Sequence, residues 1–161
     1  YGGEIKDAAI KTRCLTDGGR IAEITGDEHE FGYRKSVFSG SSMIVLRTVF
    51  RLKNGDPEVI RSRMAELAAK RKSSQPLDMP SAGSVFKRPN GRFAGALIEG
   101  SGLKGLSVGG AQVSPLHAGF IINTGNATER DVLELIAIIQ QRVFDDTGVR
   151  LEREVKLLSE L

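Results

Sequence analysis

The sequence has little of what proteins outside the cell or within a membrane depend on. It contains one cysteine, Cys14, among 161 residues. A single cysteine excludes an internal disulfide framework and is typical of proteins in a reducing cytosol. No apolar run approaches the roughly 20 residues that span a bilayer, and no stretch resembles a secretory leader. We therefore expect a cytoplasmic protein with no membrane partner.

Aromatic residues are also scarce, at 6% of the chain. The net charge of +3 could attract a polyanion. Most basic residues are interleaved with acidic ones, however, and the densest basic run is Lys70-Arg71-Lys72. Because few aromatic rings are available to stack on bases, we expect no nucleic-acid partner.

The residues for metal or hydrolase chemistry are missing as well. His29 and His117 lie far apart, and Cys14 has no potential ligand beside it, so we expect no metal site. The chain has no G-x-S-x-G motif and no histidine in a triad context, which argues against a serine hydrolase.

What the chain does contain is typical of a soluble globular protein, with 40% hydrophobic and 27% charged residues. The length suits one domain, or a small domain plus part of another. The first residue is Tyr1 rather than methionine. We expect the chain either to begin inside a longer reading frame or to be a processed or incomplete sequence.

The first fifty residues predict β-structure. Strands are expected over 8–15, 19–25 and 43–52, where apolar and β-branched residues alternate or cluster. Asp17-Gly18-Gly19 predicts a hairpin turn between the first two strands. The polar, glycine-containing stretch 28–42 is expected to form loops with one helical turn.

A first long helix is predicted after these strands. Asp56 can cap it, Pro57 suits its first position, and Gln75-Pro76 ends it. Its apolar residues share one face: Val59, Ile60, Met64 and Leu67. The segment 73–80, which contains two prolines, is the best candidate for a linker.

A second long helix is predicted over 128–147, capped by Thr128 with Asp131 and closed by Gly148. Its apolar stripe comprises Val132, Leu135, Ile136, Ile139, Val143 and Phe144. The other elements predicted for this half are a short helix and three strands, over 93–98, 106–113, 119–123 and 151–158. The two long helices are expected to pack on one face of a mixed sheet, which gives the α+β fold class.

Residues 100–105, Gly-Ser-Gly-Leu-Lys-Gly, match the glycine spacing of dinucleotide-binding loops. That fingerprint requires a strand before it and a helix after it. Here the predicted helix precedes the glycines and a strand follows. The pattern therefore indicates a turn at a helix C-terminus.

Single residues considered alone indicate no activity. Ser84 lies in a segment rich in glycine and proline, where serine commonly forms turns. Arg34 would be an ordinary surface arginine, and Glu154 a solvent-facing residue of the last strand. Periodicity and composition predict an α+β domain and nothing more specific.

Several blocks of sequence nevertheless resemble the MurB family of UDP-N-acetylenolpyruvoylglucosamine reductases, in the same order and spacing. They are YGGEIKD (1–7), FGYRKS (31–36), PSAGSVFKRP (80–89), LIEGSGLKG (97–105), VGGAQVS (108–114), HAGFIIN (117–123) and LEREVK (151–156). The short spacing between the second and third blocks is similar to the type of the family that lacks an inserted tyrosine loop.

The resemblance implies two domains. Residues 1–75 would be the C-terminal part of an FAD-binding domain of the vanillyl-alcohol-oxidase type, and residues 76–161 the α+β substrate-binding domain. In such proteins the glycine-rich loops that hold the flavin pyrophosphate lie upstream of the position of Tyr1. We therefore expect the 161-residue chain alone to be inactive.

The resemblance also implies a reaction. Family members use FAD, with NADPH as co-substrate, to reduce UDP-N-acetylenolpyruvoylglucosamine to UDP-N-acetylmuramate during peptidoglycan synthesis. Three catalytic residues are implied: Arg34 to stabilise charge on the substrate carboxylate, Ser84 to donate a proton, and Glu154 to act as an acid beside the arginine. Folding would have to bring these residues together. We expect a monomer.

Weaker correspondences concern binding. Arg71 and Lys156 match positions near the flavin, while Tyr33, Arg88 and His117 match positions that contact the substrate.

Two positions depart from the family pattern. Ser74 and Leu116 stand where members often carry lysine, which puts phosphate contacts of the nucleotide in doubt.

Two other functions stay open. One is a non-catalytic UDP-sugar-binding fragment, and the other is a different flavin oxidoreductase of the same superfamily.

Overall fold

The computed structural model describes residues 3–158. The chain divides into two compact units, Tyr1–Arg63 and Met64–Leu161. Helix α1, Pro57–Ser74, crosses the division. Both sheets of the described residues are antiparallel, one of three strands and one of four.

The first unit contains the three strands that the sequence predicts. Strands β1 (Ala9–Leu15), β2 (Ile21–Thr25) and β3 (Ile44–Phe50) form a sheet in the order β2-β1-β3. The predicted hairpin turn joins β1 to β2, where the Thr16 amide donates to the Arg20 carbonyl over 2.9 Å. Short 3₁₀ helices flank this hairpin, at Ile5–Asp7 and Gly26–His29.

The interior of the first unit is small and partly polar. Its fully buried side chains among the described residues are Thr12, Cys14 and His29. In contrast, β3 leaves large apolar side chains exposed: Ile44, Val45, Leu46 and Phe50. Hydrogen bonds rather than a large apolar core therefore fix the loop that covers this sheet.

Helix α1 begins as predicted but packs differently. The carboxylate of Asp56 accepts the Glu58 amide over 2.7 Å, and Pro57 occupies the first position. No residue of α1 is buried, although the structure describes the whole helix. The expectation that its apolar face packs on a sheet is wrong. Local signals form this helix: the cap, alanines, and ion pairs along its surface such as Glu66–Lys70.

The second unit contains a four-stranded sheet in the order β4-β7-β6-β5. Its strands are β4 (Ser81–Ser84), β5 (Ser107–Val108), β6 (Ala111–Val113) and β7 (Phe120–Asn123). The single strand predicted over 106–113 is therefore a hairpin. Glycines make the turn: Gly109 has φ of +52°, and a Cβ on Gly110 would lie 2.2 Å from the Gly125 carbonyl oxygen.

The prediction of one mixed sheet is also wrong. The described strands pair only as neighbours that run in opposite directions. Tight turns at Asp17-Gly18-Gly19 and Gly109-Gly110 join consecutive strands. Such short connections are compatible with antiparallel pairs, whereas parallel pairs need long crossovers.

Helices α2 (Ala94–Gly100) and α3 (Glu129–Thr147) cover the second sheet. The prediction for α3 is confirmed at both ends. Thr128 Oγ1 accepts the Asp131 amide over 3.2 Å, the Thr128 amide donates to the Asp131 carboxylate over 2.9 Å, and Gly148 closes the helix with φ of +71°. The Thr128 amide lowers the pKa of Asp131, since it stabilises the ionised carboxylate.

The core of the second unit lies between α3, α2 and the sheet. Its buried apolar residues include Val85, Phe86, Ile98, Ala111, Val113, Ile121, Leu135, Ile136, Ile139, Val143 and Leu151. Four of these lie on the predicted stripe of α3. The stripe therefore anchors the helix to the sheet.

The glycines at 100–105 form the turn that the sequence indicates. Helix α2 ends at Gly100, and Gly102 and Gly105 have φ of +70° and +79°. The Leu103 amide donates to the Ile98 carbonyl over 3.2 Å, which closes the helix C-terminus.

The strand predicted over 151–158 is wrong. Only one bridge forms there, between Phe86 and Arg153. The amides of Glu154 and Val155 both point to the Val85 carbonyl, at 2.7 and 3.5 Å. Two consecutive amides cannot face one neighbour in an extended strand, so the backbone turns away after Glu154.

The core assignment predicts a difference between two adjacent isoleucines of α3. Ile139 is 1% exposed and Ile138 is 39% exposed. We expect Ile139→Ala to lower the free energy of unfolding by about 2–5 kcal/mol, because it leaves a cavity. Ile138→Ala should cost about 1 kcal/mol or less. Urea unfolding of both variants measures this, and equal losses would contradict the packing described.

Candidate functional site

Ser84 and Glu154 lie together in the second unit. Ser84 ends β4, and the Glu154 amide donates to the carbonyl of the next residue, Val85, over 2.7 Å. Ser84 is exposed and Glu154 is half-buried. The backbone thus joins Glu154 to the residue directly after Ser84, although Ser84 and Glu154 are 70 positions apart in sequence (154 − 84).

A β-bulge places Ser84. Ser81 pairs with Ile122 and Ser84 with Phe120, so three steps along β4 match two steps along β7. The extra residue changes the direction in which the strand ends. Gly83 provides the left-handed backbone, with φ of +85°. A side chain at this position would strain the turn, which explains a glycine directly before the serine.

Four interactions hold the segment that carries Glu154. Leu151 is buried in the core, and its carbonyl accepts the Gln140 side-chain amide over 2.8 Å. The Lys87 amide donates to the Glu152 carbonyl over 2.8 Å, and the side chains of these two residues form an ion pair. The position of Glu154 therefore depends on the core and on residues 85–87, which follow β4.

A cleft of about 420 Å³ lies near this backbone pairing, although neither Ser84 nor Glu154 is among the residues that line it. Val85 and Val155, which adjoin Ser84 and Glu154 in sequence, both line it. The other lining residues belong to β4, β7 and the beginning of α3: Pro80, Ser81, Ala82, Ile121, Ile122, Asn123, Ala127, Thr128, Glu129 and Val132. Its volume lies within the range of small-molecule sites.

Tyr33 and Arg34 lie together in the first unit. They form the tip of a turn closed by the Gly32 amide to the Lys35 carbonyl (2.9 Å) and the Lys35 amide to the Gly32 carbonyl (3.2 Å). Arg34 has φ of +54°, and its guanidinium lies 5.4 Å from the centroid of the Tyr33 ring. Both side chains are exposed. The turn presents a cation beside an aromatic ring.

The two predicted flavin contacts are exposed cations. Arg71 lies in the last turn of α1, and its Nε donates to Gln75 Oε1 over 3.1 Å. Lys156 follows Glu154 by two residues. Either could meet a phosphate or a polar ring edge.

Arg88 and His117 are held against aromatic rings. The Arg88 guanidinium lies 4.0 Å from the centroid of Phe93, and the His117 ring meets Phe120 edge-to-face at 5.0 Å. The Gly119 amide donates to His117 Nδ1 over 3.1 Å. In the neutral ring, the outer nitrogen Nε2 therefore carries the hydrogen and can donate to a ligand.

Sequence reasoning missed the residues that orient these groups. Ser114 is fully buried, and its Oγ accepts the amides of Leu116 and His117 at 3.2 Å each. Phe93 supports Arg88, and Gly83 positions Ser84. A proline directly after Ser114 was the one available sign of a structured turn there.

Within residues 3–158, no three His, Cys, Asp or Glu side chains are arranged to hold a metal ion. None of the helices in that range is long and apolar enough to cross a membrane.

Comparison with known proteins places the second unit in a family. The family model of the C-terminal domain of UDP-N-acetylenolpyruvoylglucosamine reductase matches residues 75–158. That range contains both the Ser84–Glu154 pair and the cleft. The chain belongs to the UDP-N-acetylenolpyruvoylglucosamine reductase family.

Individual relatives match almost the whole chain. Reductases of this name from Alkaliphilus oremlandii and Clostridioides difficile are 49% and 48% identical to it over 160 residues. In each case the match covers 99% of this chain and 53% of the relative. The crystal structure of the MurB reductase from Thermus caldophilus is 42% identical, with a TM-score of 0.80, over 96% of this chain and 55% of that one. The chain thus spans about half the length of the relatives it matches.

The site geometry predicts that Leu151 fixes the segment of Glu154. Leu151 is 4% exposed, whereas Leu158 is 91% exposed. We expect Leu151→Ala to speed hydrogen exchange of the Lys87 and Glu154 amides by roughly tenfold or more, because the lost packing frees the segment. Leu158→Ala is the matched control and should leave both rates unchanged. Unchanged rates in Leu151→Ala would show that the backbone bonds hold the segment alone.

Proposed function

We propose that this chain is part of a flavin-dependent, NADPH-linked reductase. The reductase would convert UDP-N-acetylenolpyruvoylglucosamine to UDP-N-acetylmuramate for peptidoglycan synthesis. The observation that carries this proposal is the Glu154–Val85 hydrogen bond, which joins Glu154 to the residue directly after Ser84. Membership of the reductase family supports it.

In this reaction the enolpyruvyl double bond gains a hydride and a proton. FAD, when bound, would carry the hydride equivalent that NADPH supplies. As the hydride adds, electron density moves toward the substrate carboxylate and forms an enolate. A fixed cation at the carboxylate and a nearby proton donor would lower this barrier.

Arg34 suits the cation, since a guanidinium stays ionised and can bind a carboxylate through two parallel hydrogen bonds. The Ser84 hydroxyl would give its proton to the enolate carbon, a step that a basic enolate makes feasible when the geometry is fixed. Glu154 would act as an acid beside the arginine. Tyr33, Arg88 and His117 would contact the substrate.

The residues proposed for the flavin fit a phosphate-bearing, polar ligand. Arg71 and Lys156 are exposed and cationic. We propose that residues 1–75 form the C-terminal part of an FAD-binding domain of the vanillyl-alcohol-oxidase type, and residues 76–161 the substrate-binding domain. The start of the family match at residue 75 supports this division.

A second candidate is a UDP-sugar-binding fragment without catalysis. The family match over residues 75–158, which contain two of the proposed substrate contacts, Arg88 and His117, supports it. Titration of UDP-N-acetylglucosamine into the 161-residue chain, followed by calorimetry, tests binding alone. A reductase assay with FAD and NADPH then separates the two candidates.

The roles assigned here predict a selective defect in Ser84→Ala. In the flavin-loaded enzyme that contains this chain, NADPH should reduce the flavin at an unchanged rate. Reduction of the enolpyruvyl substrate should slow by about 10²–10⁴-fold, because the proton donor is lost. Stopped-flow absorbance of the flavin resolves the two half-reactions. Ser107→Ala, at the far edge of the same sheet, is the control; equal slowing of both half-reactions in Ser84→Ala would refute the assignment.

A further prediction concerns the 161-residue chain by itself. Flavin pyrophosphate needs clustered backbone amides, but the glycines at 100–105 follow the C-terminus of α2, where the helix dipole repels an anion. We expect the purified chain to be colourless and inactive. A flavin absorbance band that survives gel filtration with the protein would contradict this.

A further inference from the structure

The loop that carries Tyr33 and Arg34 is attached to the first sheet through His29. This histidine is 1% exposed, and both ring nitrogens are engaged. Nδ1 lies 2.9 Å from the Gly26 carbonyl oxygen, and Nε2 lies 2.9 Å from Thr12 Oγ1 of strand β1. Neither His29 nor its two partners, Gly26 and Thr12, are among the residues assigned to catalysis or binding above.

The direction of each hydrogen bond follows from the groups involved. A carbonyl can only accept, so His29 Nδ1 donates to Gly26. In the neutral ring Nε2 then accepts, and the Thr12 hydroxyl donates to it. Thr12 Oγ1 also lies 3.1 Å from Thr48 Oγ1 of β3, whose hydroxyl therefore donates to Thr12. The chain of donors thus runs from β3 through β1 to the loop.

His29 also contacts both sides of the turn at Tyr33 and Arg34. Its ring stacks on Phe31 with centroids 4.8 Å apart and planes 7° apart. The edge of Phe38 meets the same ring at 6.4 Å. The Val37 amide donates to the His29 carbonyl over 2.8 Å. One residue therefore fixes the chain where it enters the turn and where it leaves.

The backbone at this loop requires such an anchor. Glu30, directly after His29, has φ of +49°, and Arg34 has φ of +54°. Residues with side chains occupy this left-handed region at a cost, and they stay there only when the surroundings fix them. The 3₁₀ helix that ends at His29 is itself capped, since the Thr25 amide donates to the Glu28 carboxylate over 2.8 Å and lowers the pKa of Glu28.

We propose that His29 is a positioning residue for Arg34: bonded to Thr12, it sets where the turn presents the guanidinium to the substrate carboxylate. The role in the reaction rests on the proposed function. An apolar side chain of similar size, such as phenylalanine, would keep the stacking but leave the Thr12 hydroxyl and the Gly26 carbonyl without this partner. Placement of a catalytic group within a fraction of an ångström affects rates strongly, which gives the bond a functional consequence.

Thr12 offers a matched pair of substitutions. Thr12→Val keeps the branched shape and removes the hydroxyl, whereas Thr12→Ser keeps the hydroxyl. In the 161-residue chain, Thr12→Val should speed hydrogen exchange of the Lys35 and Val37 amides by roughly tenfold, the effect of one buried bond left unmade. Exchange in the β1–β2 ladder should stay unchanged, and Thr12→Ser should behave as wild type.

His29 provides a second test that does not depend on the strand. His29→Gln can still reach Thr12, whereas His29→Asn is too short to do so. We expect exchange at Val37 to be slower in the glutamine variant than in the asparagine variant. Equal rates in these two variants, or wild-type rates in Thr12→Val, would overturn the anchor.

Kinetics test the role in the reaction. In the flavin-loaded enzyme, Thr12→Val should raise KM for the enolpyruvyl substrate about tenfold and lower kcat. The rate of flavin reduction by NADPH should be unchanged. Thr12→Ser should have the KM and kcat of the wild type. Faster exchange with unchanged KM and kcat would overturn the positioning role and leave the proposed function intact. A wild-type enzyme that binds flavin but does not reduce the substrate would overturn both the proposed function and the positioning role. In that case the hydrogen-exchange results would still test whether His29 anchors the loop.

Discussion

The candidate site of the second unit depends on a short length of paired backbone, where residues 152–154 lie against residues 85–87. Two hydrogen bonds form the single bridge between Phe86 and Arg153, and the Glu154 amide donates one of them. Without this pairing, the segments that carry Ser84 and Glu154 would lose the backbone hydrogen bonds that join them. The bonds are few, so they need support from elsewhere. Leu151 supplies it, because burial in the core fixes the chain directly before the pairing begins.

The core of this unit depends on α3, which contributes four buried side chains to it. Its buried stripe covers the sheet on which Ser84 lies, and its first turn lines the cleft. The capping pair Thr128 and Asp131 fixes where that first turn begins. The same helix lines the cleft at one end and packs in the core along its length. The shape of the cleft therefore depends on the stability of the fold.

Local signals predicted those parts of the fold that local forces determine. Local sequence was enough to predict three features: the capped helix α3, the turn at Asp17-Gly18-Gly19 and the three strands of the first sheet. Predictions that depended on tertiary partners were less successful. No residue of α1 is buried in the structure, and residues 151–158 pair through only one bridge. Neither Ser84 nor Glu154 could be assigned from periodicity, since their significance lies in a bulge and a backbone pairing. Resemblance to a family made them candidates instead, and their roles stay predictions.

The two units hold their functional groups by different physical means. In the second, apolar burial fixes the frame and backbone bonds complete it. In the first, the buried interior is small, and the hydrogen-bonded chain from Thr48 through Thr12 to His29 fixes the loop. Directional bonds define an orientation more sharply than apolar contact does, but each depends on a single partner. An exposed arginine on a turn therefore gains a fixed position without a core beneath it, and that position is sensitive to the loss of one buried hydroxyl.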